Sequence, residues 1–534
     1  MGNGAESIRI AVFRGQRGEK PWPPVALVNG RGPLQRSGRD LVFHPSALGK
    51  PSTNQISYYF KMKRITAYLF CVLFAGAASV SAMNIKGTVK DTEGKGIAGV
   101  VVSDGLNTVQ TDSKGRFKMD TDQDSRFVFI STPSGYRSET TGGRLSYYLR
   151  LDAERKAYDF VVEKKAKDDT NHNLIVIADP QISDADEFPE LLAHAKDIGE
   201  YVKGMDGDDT FGICLGDIVG WNHALYPQYN DVMSHTGLEF RNVIGNHDMT
   251  NYGRSFETSM TDYENMYGPA WYSFNVGDVH YIAVNNNFFI GRDWYYIGYL
   301  DERQLRWLEN DLSYIPKGST VIFNLHIPTT LDKSDRDAFS YGGIADDTTN
   351  KKGIYALLEP YRTIILSGHM HTADFEVISD NIIEINIAGL CGAWWCGPVC
   401  IDGSPAGFKH FEINGSDISW TYKGCGHDLD YQMKVYVDDA QHQGYVVANV
   451  WDYDPEWKIE YFEDGVKVCD MERFKTQDPL ARELYKDPSS LKRTWVYAAP
   501  TENMFRAKFS ADAKVLEVRA TDRFGRVYKE IVER

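Results

Sequence analysis

The chain has 534 residues, a formal charge of −16 and 42% hydrophobic residues. That length predicts about three structural units, and the apolar content supports real cores rather than disorder. The first 82 residues hold 11 basic and 3 acidic residues, which leaves about −24 on the remainder; such a surface repels polyanions and excludes nucleic acid or an anionic membrane face as the main partner, since both want a basic stripe.

Residues 1–61 are rich in Gly, Pro and Arg, show no periodicity and are assigned no fold. Met62 opens MKRITAYLFCVLFAGAASVSA. Lys63 and Arg64 supply a basic start, and Ile65 to Ala78 an apolar run too short for a comfortable span. Val80, Ser81 and Ala82 supply a small-residue cleavage site, so 62–82 reads as a secretory signal peptide. A signal belongs at a translated start, so 1–61 is expected to be an over-extended start with Met62 the true first residue. Export would put the mature chain in a bacterial periplasm or outside the cell, with no stable membrane span after cleavage.

Residues 83–165 read, from Asn84, NIKGTVKDTEGKGIAGVVVSDG, short alternating runs divided by Gly-rich turns, the pattern of a small all-β sandwich. The segment resembles transthyretin-like or carboxypeptidase-regulatory-like modules, which implies spacing or surface docking. After the linker KKAKDDTNHN, residues 170–428 form the region that carries chemistry. Helices are expected over Glu187 to Met205 and Glu302 to Ile315, the second with Leu305, Leu308 and Leu312 on one face. A β-hairpin is expected over Trp271 to Asn286, turning at Gly277 and Asp278. Strands and helices alternate while hairpins intrude, so the sheets should be mixed. Cys391, Cys396, Cys400 and Cys425 cluster, and in an exported chain one or two disulfides among them are expected, with the pairing open. Cys214 reads as a core thiol. WCGPVC has C-x3-C spacing and no surrounding βαβ pattern, which argues against a redox site. Trp394 and Trp395 stand beside a Gly/Pro loop (Asp402 to Gly407), placed either to stack over a site or to cover the core. Residues 429–534 return to a β pattern and read as a third, sandwich-like domain with a short helix near Asp478 to Leu491.

Five short motifs stand in order between residues 170 and 375: IADPQ (Ile177 to Gln181), LGDIVG (Leu215 to Gly220), GNHD (Gly245 to Asp248), NLHIP (Asn324 to Pro328) and SGHMH (Ser367 to His371). Each follows an apolar run that reads as a buried strand, so the polar residues fall at strand carboxyl ends, where open α/β folds build sites. Carboxylate, amide and imidazole suit hard or borderline divalent ions. Two such ions roughly 3.5–4 Å apart can supply a nucleophile and clamp both oxygens of an in-line displacement at phosphorus. Any one motif is weak; all five in order are specific.

In these motifs the chain resembles calcineurin-like metallophosphoesterases, whose marks are D-x-H/Q, G-D-x-x, G-N-H-D/E, a lone His after a strand, and G-H-x-H. The resemblance covers about half the chain. It implies an α/β (α+β) four-layer sandwich with two mixed β-sheets, here flanked by N-terminal and C-terminal all-β sandwich-like domains. It implies that one ion takes Asp179, Gln181, Asp217 and His371, and the other Asp217, Asn246, His326 and His369, with Asp217 bridging. It places His247 near the leaving group and gives Asp248 the orientation of its ring. Gln181 departs from the commoner His. A neutral amide oxygen binds more weakly than imidazole and favours a harder ion such as Mn or Mg over Zn at that position. The order β module, phosphoesterase, β module resembles an exported bacterial three-domain type.

The expected function is therefore hydrolysis of a small-molecule phosphate ester outside the cytoplasm by two divalent metal ions (Mn, Fe, Zn or Mg, with Mn favoured). The substrate is a phosphodiester, pyrophosphate or phosphomonoester. D-x-Q and the paired tryptophans lean towards a nucleoside diphosphate or a phosphodiester. The rival reading is a non-catalytic surface protein that binds glycan or protein through its β modules around a relic metal site. The intact GNHD and GHMH count against it, since His247 serves no purpose in structural binding.

Overall fold

The computed structural model describes residues 82–534 apart from 142–143, 252, 292–294 and 331–340. The expectations for 1–61 and for the signal peptide lie outside the described residues. Residues 84–164 hold strands in two four-stranded sheets. One runs Arg116–Asp120, Asn84–Asp91, Phe160–Lys164, Tyr136–Ser138; the other runs Thr108–Gln110, Val101–Ser103, Phe127–Ile130, Tyr148–Arg150. In Asn84–Asp91 burial alternates, with Ile85 and Val89 inside, as a half-buried strand requires.

Two mixed sheets form the centre. The five-stranded sheet has the order Phe240–Asn242, Thr210–Cys214, Asn171–Ile177, Gly407–Asn414, Asp417–Gly424. Its first three strands are parallel, and Gly407–Asn414 closes antiparallel on Asn171–Ile177. The six-stranded sheet has the order Tyr272–Val276, Val279–Ala283, Thr320–Asn324, Arg362–Ser367, Ile382–Asn386, Asp374–Val377. Its four inner strands are parallel and its edges antiparallel. Val279–Ala283 and Thr320–Asn324 are buried at every position, as parallel strands covered on both faces are; they are mostly apolar, and the buried His280 and Asn324 are hydrogen-bonded. Across the two sheets the His172 ring bonds the Tyr281 hydroxyl at 2.6 Å, and Phe211 meets Phe274 and Tyr281 edge-on.

The hairpin turns where the sequence places it: Val276 pairs with Val279, and Gly277 takes the left-handed φ of +54° that its turn demands. The helices are shorter than expected. Phe188–Val202 buries Phe188, Leu191, Ala195 and Ile198 as one stripe. Glu302–Leu312 starts on Asp301, whose side chain accepts from Gln304 N, and buries Trp307, Leu308 and Leu312. Residues 434–533 hold two antiparallel four-stranded sheets around Val446, Ala448, Tyr461, Phe505, Leu516 and Val518. Between their strands lies one short helix, Pro479–Leu484, capped by Asp478.

The expected disulfides are not formed: Cys391, Cys396, Cys400 and Cys425 are all free thiols. Their clustering reflects packing instead. Cys391 and Cys400 are buried, and their thiols turn to the backbone carbonyls of Gly392 and Gly389. Among the described residues no helix is long and apolar enough to cross a membrane.

Candidate metal centre

Each motif begins where a strand stops. Asp179 and Gln181 follow Asn171–Ile177, Asp217 follows Thr210–Cys214, and Asn246, His247 and Asp248 form one helical turn after Phe240–Asn242. His326 follows Thr320–Asn324, while His369 and His371 follow Arg362–Ser367. Both sheets thus deliver their donors to one end. Five of these residues sit in the left-handed region: Asp179 at φ +50°, Gln181 at +41°, Asp217 at +51°, His369 at +72° and His371 at +54°. Such strain costs about 1–3 kcal/mol per residue and persists only where the surroundings over-determine it. Two glycines allow the loops to close in. A Cβ on Gly245 would lie 2.2 Å from Asp217 Oδ1, and one on Gly368 would lie 2.7 Å from Asp179 Oδ2.

The donor atoms converge. His326 Nε2 stands 2.9 Å from Asn246 Oδ1, 3.2 Å from His369 Nδ1 and 3.3 Å from Asp217 Oδ1. The other ring nitrogen of His326 donates to the Leu215 carbonyl at 2.8 Å, which turns its Nε2 lone pair inward. His369 faces inward by Nδ1, with its Nε2 3.4 Å from Asp346 Oδ1. On the other side of Asp217, Gln181 Nε2 donates to Asp217 Oδ2 at 3.2 Å and leaves its own Oε1 buried without a partner. His371 Nε2 lies 3.7 Å from Asp179 Oδ1, and its Nδ1 is tied to the Gly392 carbonyl at 3.0 Å. The Asp179 carboxylate also accepts the His369 backbone N–H.

Charge at this spot is poorly balanced by protein alone. Burial, reinforced by the Asp217 charge, pushes the Asp179 carboxyl far above the carboxylate range, although His326 opposes it. At Asp217 burial acts the same way, but His326, His247 and His369 outweigh it and hold the carboxyl below that range. Burial lowers His326, yet the two aspartates lift it to about 9; at His371 burial outweighs the Gly392 carbonyl and Asp217 and pulls the ring down to about 3. Oxygen and nitrogen donors gathered at 2.9–3.3 Å and an orphaned amide oxygen form a set that fits divalent cations. Asp217 belongs to both halves.

Two family models match on either side of the five motifs. The model for the N terminal of calcineurin-like phosphoesterase matches residues 83–165, and that for the C terminal of calcineurin-like phosphoesterase matches 384–528. The chain carries the N-terminal and C-terminal parts of a calcineurin-like phosphoesterase. This phosphoesterase is similar in structure to a dimetal phosphatase from Danio rerio, at 15% identity and a TM-score of 0.35 over 48% of this chain and 98% of that one. It is similar to a purple acid phosphatase from yellow lupin (Lupinus luteus) seeds, at 13% identity and a TM-score of 0.38 over 61% of this chain and 67% of that one. It is similar also to a 5'-nucleotidase from Candida albicans, at 11% identity and a TM-score of 0.29 over 47% and 50%. No curated protein matches the chain.

One expected role changes. Asp248 does not orient the His247 ring. Its carboxylate accepts the backbone N–H of Gly245 at 2.8 Å and of Ile218 at 3.2 Å, and the Tyr226 hydroxyl at 3.0 Å. It therefore ties the GNHD turn to the loop that carries Asp217. The group next to His247 is His223, whose Nε2 lies 3.0 Å from the His247 carbonyl oxygen and whose Nδ1 lies 2.8 Å from Asp262 Oδ2. The His247 ring packs on Trp221 at 4.6 Å, and its Nε2 is 3.9 Å from Asp217 Oδ2. Burial pulls the His247 ring down to about 4, so it is neutral near pH 7.

The phosphoesterase also uses residues that no motif announces. Asn286 accepts from the backbone N–H groups of His326 and Ile327, and Asn287 donates to the Ile244 carbonyl ahead of GNHD. Glu384 accepts Thr329 N at 2.9 Å and Ser367 Oγ at 2.8 Å, and so spans the two histidine loops. The one local signal for any of these is the run of three asparagines, 285–287, after an apolar strand. Of the two tryptophans, Trp394 stacks on His371 at 4.0 Å, and Trp395 turns inward to donate to the Pro180 carbonyl at 3.1 Å.

Proposed function

We propose that this phosphoesterase is an exported, dinuclear enzyme that hydrolyses a phosphodiester or a nucleoside pyrophosphate. The observation that carries the reading is the convergence of Asn246, His326, His369 and Asp217 on one point, with Gln181, Asp179 and His371 on the far side of Asp217. Asp179, Gln181, Asp217 and His371 would hold one ion, and Asp217, Asn246, His326 and His369 the other. When bound, the pair supplies the nucleophile and neutralises charge developing on the phosphoryl oxygens.

The chain's own residues do the rest. The bonds of His326 and His371 to backbone carbonyls fix the orientation of their rings and aim Nε2 at the site. His247, neutral near pH 7, offers a ring N–H as a hydrogen-bond donor to the charge developing on the leaving oxygen, while His223 holds its backbone in place. Trp221 packs on His247 and Trp394 on His371, so two aromatic rings border the donor set, which supports a substrate with a second, ring-bearing substituent. Export rests on the 62–82 sequence.

The test is a screen of mono-, di- and pyrophosphate esters with Mn, Mg, Zn and Fe supplied in turn. Turnover is expected with diesters or pyrophosphates and with Mn ahead of Zn. A chain that turns over only monoesters removes the substrate assignment, and one inert with every metal removes the dinuclear reading. Retention of 62–82 on the protein recovered from its host would remove export.

A further inference from the structure

The acidic group Asp184, Asp186 and Glu187 gathers three carboxylates within 4.8 Å at the start of helix Phe188–Val202. Its counter-charge is already present and comes from some 300 residues further along the chain. Arg493 Nη2 lies 2.7 Å from Glu187 Oε1 and 2.9 Å from Asp184 Oδ2, and Lys492 Nζ lies 2.8 Å from Glu187 Oε1 and 2.7 Å from Asp186 Oδ1. The Arg493 and Glu187 side chains are only 6% and 2% exposed, so this pair is fixed rather than a screened surface contact. The other oxygen of Glu187 accepts the backbone N–H groups of Ser183 at 2.7 Å and Asp184 at 3.0 Å.

Those N–H groups belong to the loop that begins at Gln181. Gln181 N donates to the Asp217 carbonyl at 2.8 Å, and Gly220 N to the Ile182 carbonyl at 2.8 Å, so one end of the loop is pinned to the neighbouring motif. Arg493, through Glu187, pins the other. Gln181 stands at the first pin, two residues from the second, at φ +41°, a conformation that persists only under outside constraint. The same stretch of chain grips the second loop on this side. The Tyr485 hydroxyl donates to the Val399 carbonyl and Ala499 N donates to the Ile401 carbonyl, and that loop carries Trp394 on His371 and Trp395 on Pro180.

We propose that Arg493 is a positioning residue for the metal centre. Acting through Glu187 and the 181–184 loop, it sets the amide of Gln181 and thereby the affinity of the ion held by Asp179, Gln181, Asp217 and His371, and not that of its neighbour. The segment around residues 485–499 is on this account a working part of the site. The inference rests on the ligand assignment given above and extends it.

The full chain, freed of metal, is titrated with Mn²⁺, and the two bound ions are resolved by affinity. Arg493→Gln is expected to weaken one ion about tenfold, the scale of a lost outer contact to a metal ligand, leave the other within about twofold, and lower kcat with the melting temperature nearly unchanged. Arg493→Lys, which keeps a second cation beside Lys492 at Glu187 and Asp184, is expected to restore most of the lost affinity. Unchanged affinities and kcat overturn the proposal. So does equal weakening of both ions together with a lower melting temperature, which is what a merely structural role produces. Should Arg493→Gln not fold, the pair Arg493→Met with Glu187→Leu removes both charges at once. The same one-ion loss is expected there, and unaltered binding overturns the proposal. Asp217→Asn, measured alongside, separates the two readings: if it keeps both ions, the ligand assignment fails whatever Arg493 does.

Discussion

Gln181 hands its amide N–H to Asp217 Oδ2 at 3.2 Å while its own carbonyl oxygen stays buried and unpartnered. The side chain therefore faces the metal centre. A half-turn of the amide exchanges oxygen for nitrogen and brings a neutral oxygen donor to the same place. Replacing it with imidazole, as Gln181→His, is expected to tighten one ion and move the preference towards Zn. Metal titration of the two proteins side by side checks this. A changed Michaelis constant with unchanged metal affinity would assign Gln181 to substrate instead.

Asp217 touches both halves of the donor set, through His326 at 3.3 Å and Gln181 at 3.2 Å. Asp217→Asn is expected to lose most of the bound metal and nearly all turnover, because an amide cannot bridge two ions. Metal content per chain and the rate on a generic aryl phosphate measure it, and two retained ions with a normal rate refute the bridge.

His247 stands 3.9 Å from Asp217 and keeps its ring nitrogens out of the inner donor set. His247→Ala should keep its metal while kcat falls by about 10²–10³, the scale of a lost hydrogen-bond donor to developing charge. Metal lost in proportion to activity would make His247 a ligand.

Away from the site, His172 links the two sheets through Tyr281, and burial pulls its ring down to about 4. The unfolded chain takes up this proton near pH 6.5 and the folded chain resists it. Stability is therefore fully present above 6.5 and is lost as pH falls towards 4. The slope is about 1.4 kcal/mol per pH unit and the total about 3 kcal/mol. Urea midpoints of the native chain and of His172→Gln, taken from pH 7 to pH 4.5, should converge as the pH drops. A constant gap would show that His172 does not carry the linkage.

The strands and donor residues were legible in the sequence because both are local. A strand buried on two faces is a mostly apolar run, and a ligand at its carboxyl end must follow directly, as Asp179 follows Asn171–Ile177. What stayed hidden depends on partners far along the chain. Asp248 sits three residues from Gly245, but its role is fixed by Ile218 and Tyr226. Glu384 gives no local sign that Thr329 and Ser367 will meet on it, and Arg493 none that Glu187 lies beneath it. The cysteines misled for the same reason: closeness in sequence does not bring two thiols within bonding geometry.

The left-handed backbone at Asp179, Gln181, Asp217, His369 and His371 bears on whether the centre is in use. Glycine adopts that conformation without penalty, so a loop kept only for its shape would be more stable with glycine at each of the five. A chain released from the demand for those side chains would drift that way, each step relieving strain. All five positions instead hold an oxygen or nitrogen donor, so the sequence keeps the donors against the preference of its own backbone.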